Sequence, residues 1–518
     1  MDIPQTELSQ LRTRITESLR IQRDSHAPVQ YIDSGDALLL VCARQNHAIF
    51  ARRGCGKTLL LQQSARKVDA SIQTVYLNCE DFKRHSFPNV LIEILDALFA
   101  EFDRHLSAWF GKKRALSEIL RSIRADLSKL REGADLLENA IREVTVAEQG
   151  ESANVSLEVG ATPFKGRLGG ALSEKSKTET ERSYKHHNDK LRELDILLPR
   201  LKERVREFFE ISTSVKAIFL QIDDLYHLKK SDQPFVVDYL HRLCKDVAIY
   251  FKIATLRHAS SLYIDYEGQP IGAQERHDYQ PINIDYTFAD FARTRQQNLR
   301  IFHAFGASVG LNAAQMDGLF KGEGFDRLVM AGGGVPRDTL SLFLEVLSEV
   351  KSRGGDRIGK DDVRVLSRSN FERRIEELKH DSEGGEQDVL MRGIYALRKF
   401  CLDKKSNIFV ISEQSQQQND HFRNLINRLL DYRIIHSAGS ALTHKSHAGT
   451  FQAFAIDIGC YAHLRKLDGR FTETDVSGHD AKERIRSAQI FSEADYLELV
   501  RNAPHNVETA MLSEEQSL

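Results

Sequence analysis

Residues 48–58 read Ala-Ile-Phe-Ala-Arg-Arg-Gly-Cys-Gly-Lys-Thr and constrain the fold more than any other stretch. An apolar strand end runs into a turn with two glycines, and Lys57-Thr58 opens an apolar helix from Leu59 to Val68. Strand, glycine turn and helix in this order make a phosphate loop of an α/β fold. Gly54 and Gly56 let backbone N–H groups turn toward a phosphate with no side chain in the way. The helix N-terminus adds a favourable dipole for the anion. Lys57 supplies a charge for β- and γ-phosphates, and the Thr58 hydroxyl is a ligand for Mg²⁺. The expected nucleotide contacts are therefore Arg53, Gly54, Cys55, Gly56, Lys57, Thr58 and Leu59. The pattern G-x-x-x-x-G-K-[ST] asks for glycine where this chain has Ala51, a position that closes the strand.

A second element follows. Residues 217–225 read Ala-Ile-Phe-Leu-Gln-Ile-Asp-Asp-Leu, an apolar run ending in two acids. A buried strand that stops at a nucleotide has this form. Asp223 then holds Mg²⁺ and Asp224 polarises the attacking water. The bland alternative is a core strand whose acids cap the following turn. The two motifs in this order point to ATP with Mg²⁺ as the bound species.

Two further features lie downstream. Ile249 to Leu256 is another apolar strand, closing with Thr255 and followed by Arg257. Gly332-Gly333-Gly334-Val335-Pro336-Arg337 opens a helix that runs toward Val350, and the Gly-Pro entry fixes where that helix begins. The plain alternative for Arg337 is a solvated first-turn arginine.

Asp33-Ser34-Gly35, the Arg-Arg-Gly-Cys-Gly-Lys-Thr loop, Ile-Asp-Asp-Leu and Ile282-Asn283-Ile284-Asp285-Tyr286-Thr287 together resemble the origin-recognition/cell-division-cycle (ORC/CDC-type, STAND-like) branch of AAA+ ATPases. The resemblance covers roughly residues 30–350, interrupted by an insert. It implies an ATP-binding, ATP-hydrolysing switch that assembles with copies of itself or with a partner. It also implies roles. Thr255 matches the first sensor, which reads the γ-phosphate. Arg337 matches the second, an arginine reaching the nucleotide from a helical lid. Arg276, with Arg257 as competitor, takes the place of an arginine that reaches a neighbour's ATP. The catalytic set expected is thus Asp224, Thr255, Arg276 and Arg337.

Between residues 78 and 217 the chain departs from that pattern. Pro88 precedes a helix from Asn89 to Phe102. Leu116, Leu120, Ile123, Leu127, Leu130, Ala134, Leu137, Ile141 and Val144 then alternate at spacings of four and three, the seam of a coiled coil. Alternation at Val155, Leu157, Val159 and again at Phe164, Gly166, Leu168 reads as a β-hairpin. Leu191, Leu194, Leu198, Leu201, Val205 and Phe208 form a helical stripe on the return. The economical picture is a coiled-coil arm over 105–212 with a hairpin tip that docks a partner, because an isolated hairpin is marginal in water. The alternative is a tip folded back on its own body.

Residues 287–350 carry helical signals of lid size, and Asp361 is a good N-cap for a further helix. Asp381-Ser382-Glu383-Gly384-Gly385 reads as a polar linker. Residues 386–466 then run helix, strand, helix (Asp420 to Asp431), strand, loop, strand, the order of a winged helix. Arg423, Arg428 and Lys445 are its candidate phosphate contacts for double-stranded DNA. Eleven Lys and Arg against seven Asp and Glu give this segment a net of only +4, and winged helices also dock proteins.

The expected architecture is an α/β P-loop NTPase (AAA+) core with a helical lid, a long coiled-coil insertion with a β-hairpin tip, and a C-terminal winged helix. Its parts are an N-terminal helical segment (1–30), the ATPase core (31–290), the lid (291–380), the winged helix (386–466) and a polar tail (467–518) with one helix at Ser492 to Arg501. A net charge of −2 over 518 residues argues against a general nucleic-acid-coating protein. Six cysteines without a C-x-x-C pair read as reduced thiols in a cytoplasmic protein. No apolar run reaches the ~18 residues of a membrane helix, and Met-Asp-Ile-Pro-Gln does not open a secretion signal. Two other classes stay open: a bacterial signalling or anti-phage-defence ATPase whose arm recruits a partner and whose winged helix does not touch DNA, and a loader component of a larger machine.

Overall fold

The computed structural model describes residues 3–19, 30–105, 114–131, 190–462, 471, 473, 481–508 and 511, except 34, 84, 86, 213, 267 and 383. The first half alternates helices and strands: α1 (Gln5–Ser18), α2 (Ala37–Val41), β1 (His47–Phe50), α3 (Lys57–Lys67), β2 (Ile72–Asn78), α4 (Asn89–His105), helical stretches α5 over 114–131 and α6 over 190–211, β3 (Ala217–Asp223), α7 (Gln233–Cys244) and β4 (Ile249–Thr255). A small hairpin, β5 (Tyr263–Tyr266) and β6 (Gln269–Gly272), precedes β7 (Gln280–Asn283). Strands 1, 2, 3, 4 and 7 form one parallel sheet in the order β2-β3-β4-β1-β7. All seven residues of β3 are buried, as expected of a strand covered on both faces. The chain crosses from β1 to the far edge at β2 and returns through β3 and β4. The carboxyl ends of β1, β3 and β4 therefore flank a crevice of the kind open α/β sheets use for ligands.

Beyond the sheet come α8 (Phe291–Ala307), α9 (Ala313–Asp317), α10 (Gly324–Ala331), α11 (Pro336–Ser352) and α12 (Lys360–Asp381). Pro336 opens α11, as its fixed φ and missing N–H favour. Asp361 is not the cap of α12: Gly359 holds that position, and its N–H donates to Asp362 Oδ2 at 2.8 Å. Leu8, Leu11 and Ile15 of α1 are buried in the apolar core of these helices.

The last part runs α13 (Gly384–Asp403), β8 (Ile408–Ser412), α14 (Glu413–Gln418), α15 (Asp420–Asp431), β9 (Ile435–Thr443), β10 (Thr450–Ile456), α16 (Ala481–Ile485), β11 (Gln489–Ile490) and α17 (Glu493–Arg501). Its sheet order is β11-β8-β10-β9. The segment 381–385 is no extended linker, since only two residues separate α12 from α13, and one apolar core holds Phe371 and Leu378 together with Leu390 and Ile426. Within the tail, the described residues 481–508 carry α16, β11 and α17. β11 adds to β8 in parallel, and Phe491 is fully buried beside Phe400 and Phe409.

The base of the insert also differs from expectation. Leu116, Leu120, Ile123 and Leu127 of α5 are buried in the same core as Leu95, Phe99 and Phe102 of α4 and Leu194, Leu201 and Phe208 of α6. Arg131 meets Glu93 at 3.1 Å, Arg124 meets Asp96 at 2.7 Å and Arg121 meets Asp103 at 3.0 Å, so α4 and α5 lie antiparallel. Tyr239 Oη of α7 donates to the Leu194 carbonyl at 2.7 Å. The heptad stripe is thus buried against α4 as well as against the returning helix α6, because α4 is itself strongly apolar along one face. The predicted continuation from Ala134 to Val144 and the hairpin at 154–169 lie outside the described residues.

Candidate nucleotide site

The loop between β1 and α3 has the backbone its glycines predict. Gly56 is left-handed (φ 89°) at the N-cap of α3, and Gly54 has φ 85°. A Cβ on Gly54 would lie 2.8 Å from Arg337 Cβ, so the position requires glycine twice over. Ala51 is buried at the strand end and its N–H donates to the Thr255 carbonyl at 3.4 Å, which is how alanine serves there. Lys57 is buried, and its ammonium donates to the Ala51 and Arg52 carbonyls at 3.0 and 3.3 Å. Arg53 stacks over Tyr226 at 4.7 Å and pairs with Asp381 of α12. Cys55 Sγ reaches Asp285 Oδ1 at 3.6 Å, and burial pushes this thiol well above its usual range. All seven loop residues from Arg53 to Leu59 line one cleft of about 1360 Å³.

Of the two acids only Asp224 lines this cleft. Asp223 ends β3 with no exposed surface, and Tyr76 Oη donates to its Oδ2 at 2.8 Å. Burial first, and neighbouring Asp224 second, push its carboxyl up to about 6, against a hydrogen bond from Thr58. Asp224 adopts φ 52° and lines the cleft. The chain thereby turns sharply, sending one carboxylate inward and presenting the next at the surface. The Thr58–Asp223 contact is the donor pair a phosphate-bound cation would use. Among the described residues no three or more His, Cys, Asp or Glu side chains gather as a metal site.

The remaining expected residues divide. Arg337 belongs to the cleft: its N–H donates to the Gly54 carbonyl at 3.3 Å, and its guanidinium lies 3.5 Å from Glu377. Thr255 closes β4 but is fully buried, pairs with the Ser260 hydroxyl and does not line the cleft. Arg257 stacks over Phe50 at 4.4 Å and pairs with Glu275 at 2.9 Å. Arg276 is exposed on a turn at φ 69°, also outside the cleft.

No protein-family model and no curated protein matches the chain. Solved structures do. The ORC2 protein of Aeropyrum pernix, in ADPNP–ADP complexes, is 10% identical with a TM-score of 0.36, over 93% of this chain and 96% of that one. The Aeropyrum pernix ORC1 protein in complex with DNA is 12% identical with a TM-score of 0.32, over 89% and 93%. Drosophila ORC bound to DNA is 12% identical with a TM-score of 0.34, over 90% and 94%. The chain is similar to these origin-recognition proteins along most of its length.

Other side chains at the cleft had no motif to announce them. Arg428, Asp431 and Tyr432 come from the end of α15 and line it too, although α15 is the helix expected to face DNA. Beneath them lies a buried chain of charges. Arg52 pairs with Asp285 at 2.8 Å and contacts His436. His436 and Arg374 both meet Asp457. Arg374 and Arg433 both meet Asp338, at 3.2 and 3.1 Å. Arg433 also donates to the Arg53 carbonyl at 3.2 Å. Six separate segments contribute, so sequence spacing holds no trace of the network. The Arg433 φ of 62° was the only local oddity, and it too is invisible in sequence.

Proposed function

We propose that the chain is an ATP-binding and ATP-hydrolysing AAA+ switch of the ORC/CDC type that assembles with itself or a partner. One observation carries this: the loop from Arg53 to Leu59, Asp224 and Arg337 line a single cleft at the carboxyl ends of β1 and β3, with Asp223 buried behind it against Thr58. In this reading Gly54 and Gly56 turn their amides to the phosphates and Lys57 leaves its two carbonyls for the terminal phosphates. Thr58 and Asp223 hold Mg²⁺, which when bound neutralises phosphate charge. Asp224 orients the attacking water, and Arg337 reaches the nucleotide from the lid. The parts are an AAA+ core over 31–290, a lid over 291–380 and a winged helix over 386–466.

The experiment is direct. Lys57→Ala is expected to lose Mg-ATP binding by at least about 100-fold, since it removes the only lysine of the loop. Asp224→Asn is expected to keep binding and to lose about 10² or more in turnover. A Lys57→Ala protein with unchanged Mg-ATP affinity by calorimetry refutes the assignment.

The C-terminal module is better read as a docking element than as a DNA reader. Each expected phosphate contact is already paired: Arg423 with Asp420 at 2.6 Å, Arg428 with Glu386 at 2.9 Å, Lys445 with Glu483 at 2.7 Å. This favours protein docking over DNA contact by the module. A steeply salt-dependent affinity for a 30-bp duplex would reverse that preference.

A further inference from the structure

Asp431 closes α15, only 4% exposed. Its neighbours explain part of its position. The Ala259 backbone N–H, in the turn after β4, donates to the carboxylate. Its Oδ2 has no hydrogen-bond partner among the described residues. A buried carboxylate oxygen left unpaired costs free energy that a structural role does not recover. The side chain lines the same cleft as Lys57 and Asp224, and its charge is felt by Lys57.

The cations around it are engaged elsewhere. Lys57 donates to Ala51 and Arg52 carbonyls. Arg428 pairs with Glu386, Lys230 donates to the His258 carbonyl at 2.9 Å, and Arg53 pairs with Asp381. Asp285 adds a second negative charge to the surroundings. Burial accordingly raises the Asp431 carboxyl to about 7.

We propose that Asp431, carried on the C-terminal end of α15, faces the terminal-phosphate end of the cleft and makes the docked C-terminal module select a diphosphate over a triphosphate. The inference rests on the nucleotide assignment above. Lys57 marks where the outer phosphates lie, and the turn after β4 holds Asp431 on that side. A third phosphate brings further negative charge toward a poorly hydrated carboxylate, and like charges in such a setting repel strongly. A diphosphate ends short of it. Triphosphate binding then favours a state in which the module has moved off, so the same residue couples nucleotide state to module position. Arg433, two residues on, is bonded to the Arg53 carbonyl of the phosphate loop and gives that movement a lever.

The test uses the full chain at pH 8, where Asp431 is ionised, with Mg²⁺ and either ADP or ATPγS in calorimetry. Asp431→Asn keeps the shape and an oxygen for Ala259. It is expected to raise ATPγS affinity about tenfold, the scale of one partly screened charge contact, and to leave ADP affinity within about twofold. Asp431→Glu retains the charge and is expected to keep the wild-type preference. Asp431→Ser repeats the test if the asparagine variant does not fold. An ATPγS-to-ADP ratio unchanged in the neutral variants overturns the inference while leaving the nucleotide site intact. Absence of binding by the wild-type chain to either nucleotide removes the site itself, and the two failures are thereby distinct.

Discussion

Arg52 Nη1 donates to His436 Nδ1 at 3.2 Å, joining the phosphate loop to β9 across 384 residues of chain. The same guanidinium holds Asp285, just beyond β7, through both carboxylate oxygens. Because Nδ1 accepts, the ring proton sits on Nε2, which donates to Asp457 Oδ2 at 2.9 Å. The imidazole is thus a neutral bridge between a cation and an anion, both buried. Any shift of the Arg52 loop is felt at the C-terminal module through this ring.

That bridge gives a pH prediction. Burial lowers the His436 pKa to about 4, against the pull of Asp457. The unfolded chain therefore binds a proton at higher pH than the folded one, and stability falls as pH drops from about 6.5 to about 4. The loss is at most about 3 kcal/mol, from the size of that shift. Asp338 and Asp457 are held below the usual carboxylate range and lose their contribution only at lower pH, so the two windows separate. Melting temperature measured between pH 7 and 4.5 is expected to fall more for the wild type than for His436→Gln. Parallel curves would show that the ring does not titrate with unfolding.

Gly333 tests the same contact by crowding. Its φ is 64°, and a Cβ there would lie 2.4 Å from His436 Cε1. Gly333→Ala is expected to cost about 1–3 kcal/mol through strain and displacement of the ring. Since Arg52 follows the ring, nucleotide affinity should change with it. Gly354, also at positive φ but with open space around it, is the control: Gly354→Ala carries the backbone strain without the clash. Equal effects at both positions in denaturant titrations would remove His436 from the account.

The strand, glycine turn and helix over 47–67 and the buried strand ending at Asp223 were legible because each is local: two glycines, a lysine and an apolar run bound their own geometry. Helix–strand order in the last third was legible for the same reason. The loop between the last two long strands spans only residues 444–449, because β9 continues to Thr443 along an edge of its sheet. Asp431 and Arg433 could not be singled out, because an acid and an arginine at a helix end usually cap or solvate it. Only tertiary packing turns them inward. The heptads over 116–127 were correctly periodic, and the stripe expected on the return shares their core, but α4 joins it as well. Periodicity states that a face is buried, and α4 shows against what.

Arg276 and Arg257 remain the candidates for completing a neighbour's site. Neither lines this chain's own cleft, which is what a residue acting in trans requires. Arg276 is exposed and held at φ 69° by its turn, while Arg257 is committed to Glu275. Arg276→Ala is therefore expected to lower turnover about 10²-fold or more with ATP binding intact, and Arg257→Ala to do less. Mixing Arg276→Ala with Lys57→Ala should restore part of the activity at mixed interfaces. Full activity of both arginine variants would place the whole machinery within one subunit.

The insert supplies the last prediction. Leu120 and Ile123 are buried against the body beside α4. Leu120→Ala is expected to cost about 2–5 kcal/mol of stability, as for other large-to-small core changes. Replacing residues 154–169 by a short Gly/Ser linker should behave differently. The pairs Arg131–Glu93, Arg124–Asp96 and Arg121–Asp103 fix α5 on α4 without that segment, and Tyr239 ties α6 to α7. Melting temperature and Mg-ATP affinity of the deletion variant should match the wild type. If 154–169 docks a partner, sedimentation in the presence of ATP will show a smaller assembly than the wild type forms. Unchanged assembly assigns no docking role to the segment, and loss of soluble protein places it within the fold.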